Sequence, residues 1–233
     1  MAKPLFITGT DTDAGKTLIA CALLEALAAA GKTTCALKPI AAGCEHTKQG
    51  LTNSDALLLQ ACATTALPYS QVNPIALTEA CAPHIAAANE GRRLQIARIE
   101  GICRGVLMQK ADICVIEGAG GWRVPLNERE RLSDLPKNLN SPVVLVVGMR
   151  LGCLNHALLT AEAILRDGLP LVGWVANTLD SKMLHFEQNL ATLKRLIPAP
   201  CLGVIPYIAQ SDEQTKITLA KDYLELKPLD SYY

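Results

Sequence analysis

The run Gly9-Thr10-Asp11-Thr12-Asp13-Ala14-Gly15-Lys16-Thr17 sets glycines, a lysine and a hydroxyl directly after the apolar stretch Leu5-Phe6-Ile7. That is the make-up of a phosphate-binding loop between a buried strand and a helix. A triphosphate needs several donors converging on its oxygens; a loop folded over it offers backbone N–H groups, and the following helix turns its positive dipole end inward. Gly15 removes the Cβ that would block close approach. Lys16 then reaches the terminal phosphates as a point charge, and the Thr17 hydroxyl is placed to enter the shell of a Mg²⁺ ion. Five residues separate Gly9 from Gly15, one more than the general pattern G-x-x-x-x-G-K-[ST] allows. The bland alternative, a glycine-rich turn with a chance Lys-Thr, leaves the flanking strand and helix without a purpose.

Phosphoryl transfer from ATP needs its metal held by oxygen, and Mg²⁺ takes one or two carboxylates besides phosphates and water. Glu117 closes the apolar run Ile113-Cys114-Val115-Ile116 and leads into Gly118-Ala119-Gly120-Gly121, a turn that lets main chain approach a ligand. An acid there has little structural motive. Asp55 falls in the first turn of a helix capped by Asn53 or Ser54, where the dipole alone favours an acid, so the metal and structural readings stand even. Lys38 ends Thr33-Thr34-Cys35-Ala36-Leu37 and is held extended by Pro39. It either supplies a second cation for transition-state charge or snorkels to solvent. Among the histidines His46, His84, His156 and His185 no ligand spacing occurs, and only His84 and His156 remain cleft candidates. Trp122, after the glycine turn, reads as cover for the cleft floor, with stacking on a ligand as the alternative.

These groups need a scaffold that brings distant positions together. Short apolar runs without strict alternation occur at 5–8, 34–37, 113–116, 143–147, 171–175 and 201–205, the mark of strands covered on both faces. Helical patterns lie between them at 16–30, 54–63, 84–90, 94–110, 154–167 and 182–196, with Gly31 and Gly168 placed as left-handed caps. Alternation of this kind predicts an α/β fold, doubly wound, with a mainly parallel sheet of about seven strands and ligands beyond the strands' carboxyl ends. Gly9, Lys38, Glu117, Gly148, Asn177 and Pro206 each follow one of the runs, so one cleft gathers them. The stretch 64–83 carries Pro68, Pro74 and Pro83 and reads as a surface loop; the tail after Gln210 has weak periodicity and several charges and reads as partly mobile.

Half of the 233 residues are hydrophobic, which suffices for a sizeable core, and the length favours a single α/β domain over 1–233, with two small domains as the alternative. Twenty-two basic and twenty-two acidic residues cancel, leaving no broad field for nucleic acid or an anionic membrane. The nine cysteines are scattered and form no C-x-x-C pair, as befits reduced, mostly buried thiols. The amino end goes from Lys3-Pro4 straight into a strand rather than a signal peptide, and no apolar run spans a bilayer, so a soluble cytoplasmic protein is expected.

Taken in order, GTDTDAGKT, LKPIAAG, NSDALLLQ, VNP followed by APHIAA, EGAGGW, VGMRLGCLNHALLT, GWVAN and GVIPY resemble the dethiobiotin synthetase family across nearly the whole chain. The family uses the longer loop spacing found here. The resemblance implies a P-loop NTPase fold and an ATP-dependent ring closure: CO₂ forms a carbamate on 7,8-diaminononanoate, ATP phosphorylates it, and the second amine closes the ureido ring. It implies catalytic roles for Thr12, Lys16 and Lys38, and Mg²⁺ held by Thr17, Asp55 and Glu117. ATP would contact Asp13, Ala14, Gly15, Lys16, Thr17 and Leu18, then Asp55, Glu117, Gly118, Ala119 and Gly120, with Asn177, Thr178, Pro206 and Tyr207 toward adenine. Substrate would meet Lys38, Ala42 and Gly121. Its distant carboxylate would be held by Leu151, Gly152, Cys153 and Asn155 of a neighbouring subunit, which implies a homodimer with shared sites.

Two positions depart from the family pattern. Ala42 stands where a hydroxyl residue is common, which removes one polar contact to substrate, and Thr178 stands where an acid often contacts the base. Three rivals remain. A partitioning or cell-division-positioning ATPase carries a signature lysine early in the loop, where this chain has Asp11. An ATP-dependent amidation enzyme needs a glutaminase domain for which the chain is too short, and a non-catalytic nucleotide-binding module has no use for Lys38 and Glu117 together.

Overall fold

The computed structural model describes residues 1–48, 50–209 and 212–232. Its elements run β1 (Lys3–Gly9), α1 (Lys16–Ala29), β2 (Thr34–Leu37), β3 (Ile40–Ala41), β4 (Glu45–Thr47), β5 (Gly50–Thr52), α2 (Ser54–Cys62), α3 (Tyr69–Val72), β6 (Ile75–Ala76), α4 (Pro83–Asn89) and α5 (Ile96–Leu107). They continue with β7 (Ile113–Glu117), α6 (Asp134–Leu139), β8 (Val143–Met149), α7 (Cys153–Arg166), β9 (Leu171–Thr178), α8 (Phe186–Leu196), β10 (Cys201–Ile205) and α9 (Glu213–Lys221).

Each apolar run is a strand, and β1, β2, β7, β8, β9 and β10 form one six-stranded sheet in the order β10-β9-β8-β1-β7-β2. Every pairing in it is parallel. The runs lack alternation because both faces are covered: all residues of β7 and β8 are buried. Phe6, Ile116 and Leu145 point into a core shared with α5, α7 and α8, whereas Ile7, Val115 and Val146 face α1 and α9. α1 is apolar nearly all round, burying Ile19, Leu23, Leu24 and Leu27, since sheet, α2 and α9 enclose it. The chain leaves β1 for one edge and later returns to its other side, which makes the carboxyl end of β1 the topological switch point. Gly31 and Gly168 both take φ of 79°, as the helix-end reading required.

Four regions differ from the sequence reading. The stretch 64–83 is more than a surface loop: it contains α3 and β6, pairs β6 in parallel with β3, and buries Leu67, Val72, Ile75 and Leu77 in the core. Its prolines stand at the borders of short elements: Pro68 caps α3, Pro74 separates α3 from β6, and Pro83 opens α4. The tail beyond Gln210 forms α9 against α1, with Gln214 Nε2 donating to Glu25 Oε1 at 2.6 Å. Only Ile217 and Ala220 are buried on that helix, too few for a periodic signal. Gln210 and Ser211 themselves lie outside the described residues. The hairpin of β4 and β5 and the short α6 carried no recognisable pattern. Among the described residues no helix is long and apolar enough to cross a membrane.

Candidate active site

The loop after β1 is shaped by two residues in left-handed geometry, Asp13 at φ 58° and Gly15 at φ 90°. A Cβ on Gly15 would stand 2.0 Å from Asn177 Nδ2, so neither the backbone nor the space admits another side chain. Asn177, buried at the end of β9, donates from Nδ2 to the Ala14 carbonyl at 3.0 Å and so anchors the loop from beneath. No side chain caps the first turn of α1, which leaves that turn's N–H groups for an anion. Lys16 is buried, and its Nζ donates to the Asp11 carbonyl at 3.0 Å. Burial pulls its pKa below the usual lysine range; Glu117 opposes the drop and Lys38 adds to it. The Asp11 carboxylate accepts from the Thr12 N–H at 2.8 Å and pairs with Arg150 at 2.6 Å.

Lys38, Glu117 and Asp55 meet in one cluster. Lys38 Nζ lies 2.6 Å from Glu117 Oε1 and 2.8 Å from Asp55 Oδ2. Burial by itself would lower the Lys38 pKa, but Glu117 and Asp55 outweigh it and hold the ammonium above the ordinary lysine range. The lysine is therefore a buried cation and does not snorkel. Thr17 Oγ1 donates to Glu117 Oε1 at 2.9 Å, while Glu117 Oε2 is buried with no hydrogen-bond partner. Asp55 is placed by α2, whose N-cap is Asn53: its Oδ1 accepts from the Ala56 N–H at 3.2 Å.

Among the described residues no three His, Cys, Asp or Glu side chains cluster as an all-protein metal cage. What converges is two carboxylates and a hydroxyl, with one buried carboxylate oxygen to spare. That donor set fits Mg²⁺, which completes its shell with phosphate oxygens and water.

The glycine turn forms the facing wall. Gly118 N–H donates to the Ile7 carbonyl at 2.9 Å, and a Cβ on Gly118 would stand 3.1 Å from the Phe6 ring. Trp122 backs the turn from the core, edge-on to Phe6 with ring centroids 6.1 Å apart. Its Nε1 donates to Asp167 Oδ2 at 2.9 Å, and Arg123 holds the same carboxylate with both terminal nitrogens at 2.6 and 2.9 Å. Trp122 thus supports the floor and is no stacking platform.

Loop, cluster and wall enclose a cleft of about 1130 Å³. Thr12, Asp13, Gly15, Lys16, Thr17, Leu18, Lys38, Ala42, Asp55, Glu117, Ala119, Gly120 and Gly121 all line it. Ala14, Gly118 and Asn177 are buried and are not part of its lining. Thr178 ends β9, and Pro206 and Tyr207 follow β10 as exposed residues outside the lining. Leu151, Gly152 and Asn155 are exposed and Cys153 is buried at the start of α7; none of the four lines this chain's cleft. His84 and His156 do not line it either. Residues with no functional signal in the sequence also line it: Arg123, Cys81, and Glu213 and Lys216 from α9. Nothing local to these residues signals the cleft: α9 brings Glu213 and Lys216 there, the connection between β6 and α4 brings Cys81, and Arg123 follows Trp122 out of the glycine turn. All nine cysteines are free thiols, six of them buried.

The family model described as "AAA domain" matches residues 3–215. The chain is 59% identical to an ATP-dependent dethiobiotin synthetase BioD of Cellvibrio japonicus (strain Ueda107), over 97% of each chain. It is 56% identical to the protein of that name from Pseudomonas aeruginosa (strain LESB58), over 96% of each. With the one from Marinobacter nauticus (strain ATCC 700491 / DSM 11845 / VT8) it shares 51%, over 98% of this chain and 99% of that one. Among solved structures, the fold is similar to the septum site-determining protein MinD of Pyrococcus horikoshii OT3, at TM-score 0.57 and 15% identity, covering 95% of this chain and 96% of that one. The signal recognition particle receptor FtsY of Elizabethkingia anophelis is similar at TM-score 0.53 and 12% identity, over 96% of this chain and 64% of that one.

Proposed function

The chain belongs to the ATP-dependent dethiobiotin synthetase family, and from that premise we propose that it closes the ureido ring of dethiobiotin from 7,8-diaminononanoate, CO₂ and ATP. The observation that carries the reading is the convergence of Lys16 and Lys38, both buried, with Thr17, Asp55 and Glu117 in one cleft beside an uncapped helix start.

One amine of the diamine adds to CO₂ and loses a proton, giving a carbamate. A carbamate oxygen attacks the γ-phosphorus and ADP departs, leaving a carbamic-phosphoric anhydride. The second amine then attacks the carbonyl carbon, loses a proton and expels phosphate. In the transfer step negative charge spreads over the γ-phosphoryl oxygens and the carbamate. Lys16 meets it from the loop and Lys38 from the end of β2, both as buried side chains whose charge bulk water screens little. The N–H groups at the start of α1 orient the phosphates, and the Thr12 side chain lines the path between loop and glycine turn. Thr17, Asp55 and Glu117 would hold Mg²⁺, which would supply charge neutralisation for the triphosphate. Ala119, Gly120 and Gly121 present backbone with no side chain larger than a methyl, which suits close approach to the reacting groups.

The remaining contacts extend this reading. Adenine is placed beyond the ends of β9 and β10, by Asn177, Thr178, Pro206 and Tyr207. The site is shared in a homodimer, where Leu151, Gly152, Cys153 and Asn155 hold the diamine's distant carboxylate in the partner's cleft. Support comes from Leu151, 98% exposed, and from Gly152 at φ 93° before an α7 that no side chain caps. We place the protein in the cytoplasm, as a single P-loop α/β domain over 1–233. The test is direct: purified protein with diaminononanoate, bicarbonate, Mg²⁺ and ATP should release dethiobiotin, ADP and phosphate in equal amounts. ATP hydrolysis without dethiobiotin would overturn the assignment.

A further inference from the structure

Lys38 and Asp55 sit on separate elements, β2's end and α2, yet their side chains meet at 2.8 Å. The contact is backed by a hydrogen-bond chain through residues to which the reaction assigns no part. Asn73 is 3% exposed, and its Nδ2 donates to the Lys38 carbonyl at 2.7 Å. The Lys38 N–H donates to the neighbouring Val72 carbonyl at 2.8 Å, so the lysine backbone is gripped on both sides by one short segment. Tyr69 Oη donates to Asn73 Oδ1 at 3.0 Å and accepts from the Asn53 N–H at 2.7 Å. Asn53 is the N-cap of the helix that carries Asp55. The chain from Lys38 backbone through Asn73 and Tyr69 to the start of α2 is therefore continuous.

We infer that Tyr69 and Asn73 are positioning residues: they form a strap that sets the distance between the Lys38 ammonium and the Asp55 carboxylate. The inference rests on the functional reading above for what that distance is worth to turnover. Asn73 matches the need in chemistry, since one amide offers the donor for the Lys38 carbonyl and the acceptor for the phenol. Tyrosine adds a stiff arm with few rotamers, and α3 holds it against the core. Pro68 and Pro74 flank the segment and restrict its backbone. Neither residue touches the cleft, so their effect passes through Lys38 and Asp55.

Tyr69→Phe keeps the ring and removes both bonds of the hydroxyl; Asn73→Ala removes the centre of the strap. Misplacement of reacting groups by about 1 Å costs up to ~100-fold, so Tyr69→Phe should lower kcat about tenfold or more. KM for ATP should stay within about twofold, because the loop and α1 are untouched. Binding of a non-hydrolysable ATP analogue should remain one per chain, which a loss of folded protein would not allow. The double variant should be no slower than Asn73→Ala alone, as expected of groups acting in series. Should Asn73→Ala fail to fold, Tyr69→Phe decides by itself. Unchanged kcat in Tyr69→Phe, or a fall in kcat matched by lost analogue binding, overturns the strap. A crystal structure of Tyr69→Phe without substrates separates this from the functional reading: a lengthened Lys38–Asp55 contact supports the strap, and a retained 2.8 Å contact refutes it, whatever reaction the wild type runs.

Discussion

Replacing Lys38 by Met removes an ammonium and keeps most of the stem. Glu117, 1% exposed, then retains only the Thr17 hydroxyl on Oε1 and nothing on Oε2. Breaking a buried pair from one side costs about 3–5 kcal/mol, because the orphaned charge stays desolvated. The Asp55 contact adds at most about 1 kcal/mol, since that carboxylate is 40% exposed and solvent screens it. Against a net stability of about 5–15 kcal/mol the variant should fold but unfold at clearly lower urea. Adding Glu117→Gln removes the orphan, so the double variant should recover about 2 kcal/mol or more relative to simple addition. Urea unfolding of wild type, both singles and the double, without nucleotide or metal, gives all four values. A cost under about 1 kcal/mol for Lys38→Met, with no coupling to Glu117, would refute the buried-pair reasoning. In the same proteins turnover should fall by about 100-fold or more on loss of Lys38; wild-type turnover would refute its role toward transition-state charge.

Lys16→Ala should nearly abolish turnover in a folded protein. Burial lowers the folded pKa of Lys16, so its charge costs stability at neutral pH, and that cost fades between the lowered folded value and the unfolded value near ~10.4; any advantage of Lys16→Met in urea should shrink over that window. Gly15→Ala meets both φ 90° and the Asn177 amide, and should lose at least about 1 kcal/mol of stability together with ATP affinity in calorimetry. For Asp167 burial opposes ionisation, but the bonds from Arg123 and Trp122 prevail and lower its pKa. Its contribution is present above the unfolded value near ~3.9 and is lost as pH falls through the lowered folded value, so Asp167→Asn should lower stability at pH 7 and lose that deficit in acid. Glu117→Gln should raise the Mg²⁺ concentration for half-maximal rate; an unchanged metal titration would discard Glu117 as a ligand.

The parts of this site legible in the sequence are those whose chemistry and local context coincide. A lysine before Thr17 at the end of a glycine loop, an acid closing a buried strand and a lysine held by Pro39 each announce themselves within a few residues. The Asn53 cap was one of two choices, and the backbone geometry selects it. What stayed hidden depends on contacts between remote positions. Asp11 meets Arg150 across the sheet end, Trp122 meets Asp167 past α7, and Tyr69 meets Asn53 across a loop whose prolines mask its order. Single side chains carry no periodicity that could announce such pairs. The same holds for α9, where two buried residues suffice because α1 offers a ready apolar face.

In the proposed route a carbamate oxygen accepts the γ-phosphoryl group before ring closure. Supplying the enzyme with ¹⁸O-labelled bicarbonate, unlabelled ATP and water, and analysing the released phosphate by mass spectrometry, tests it in one step. Phosphate formed along with dethiobiotin should carry one labelled oxygen taken from the carbamate. Phosphate without label, released at the same rate as product, would contradict that route.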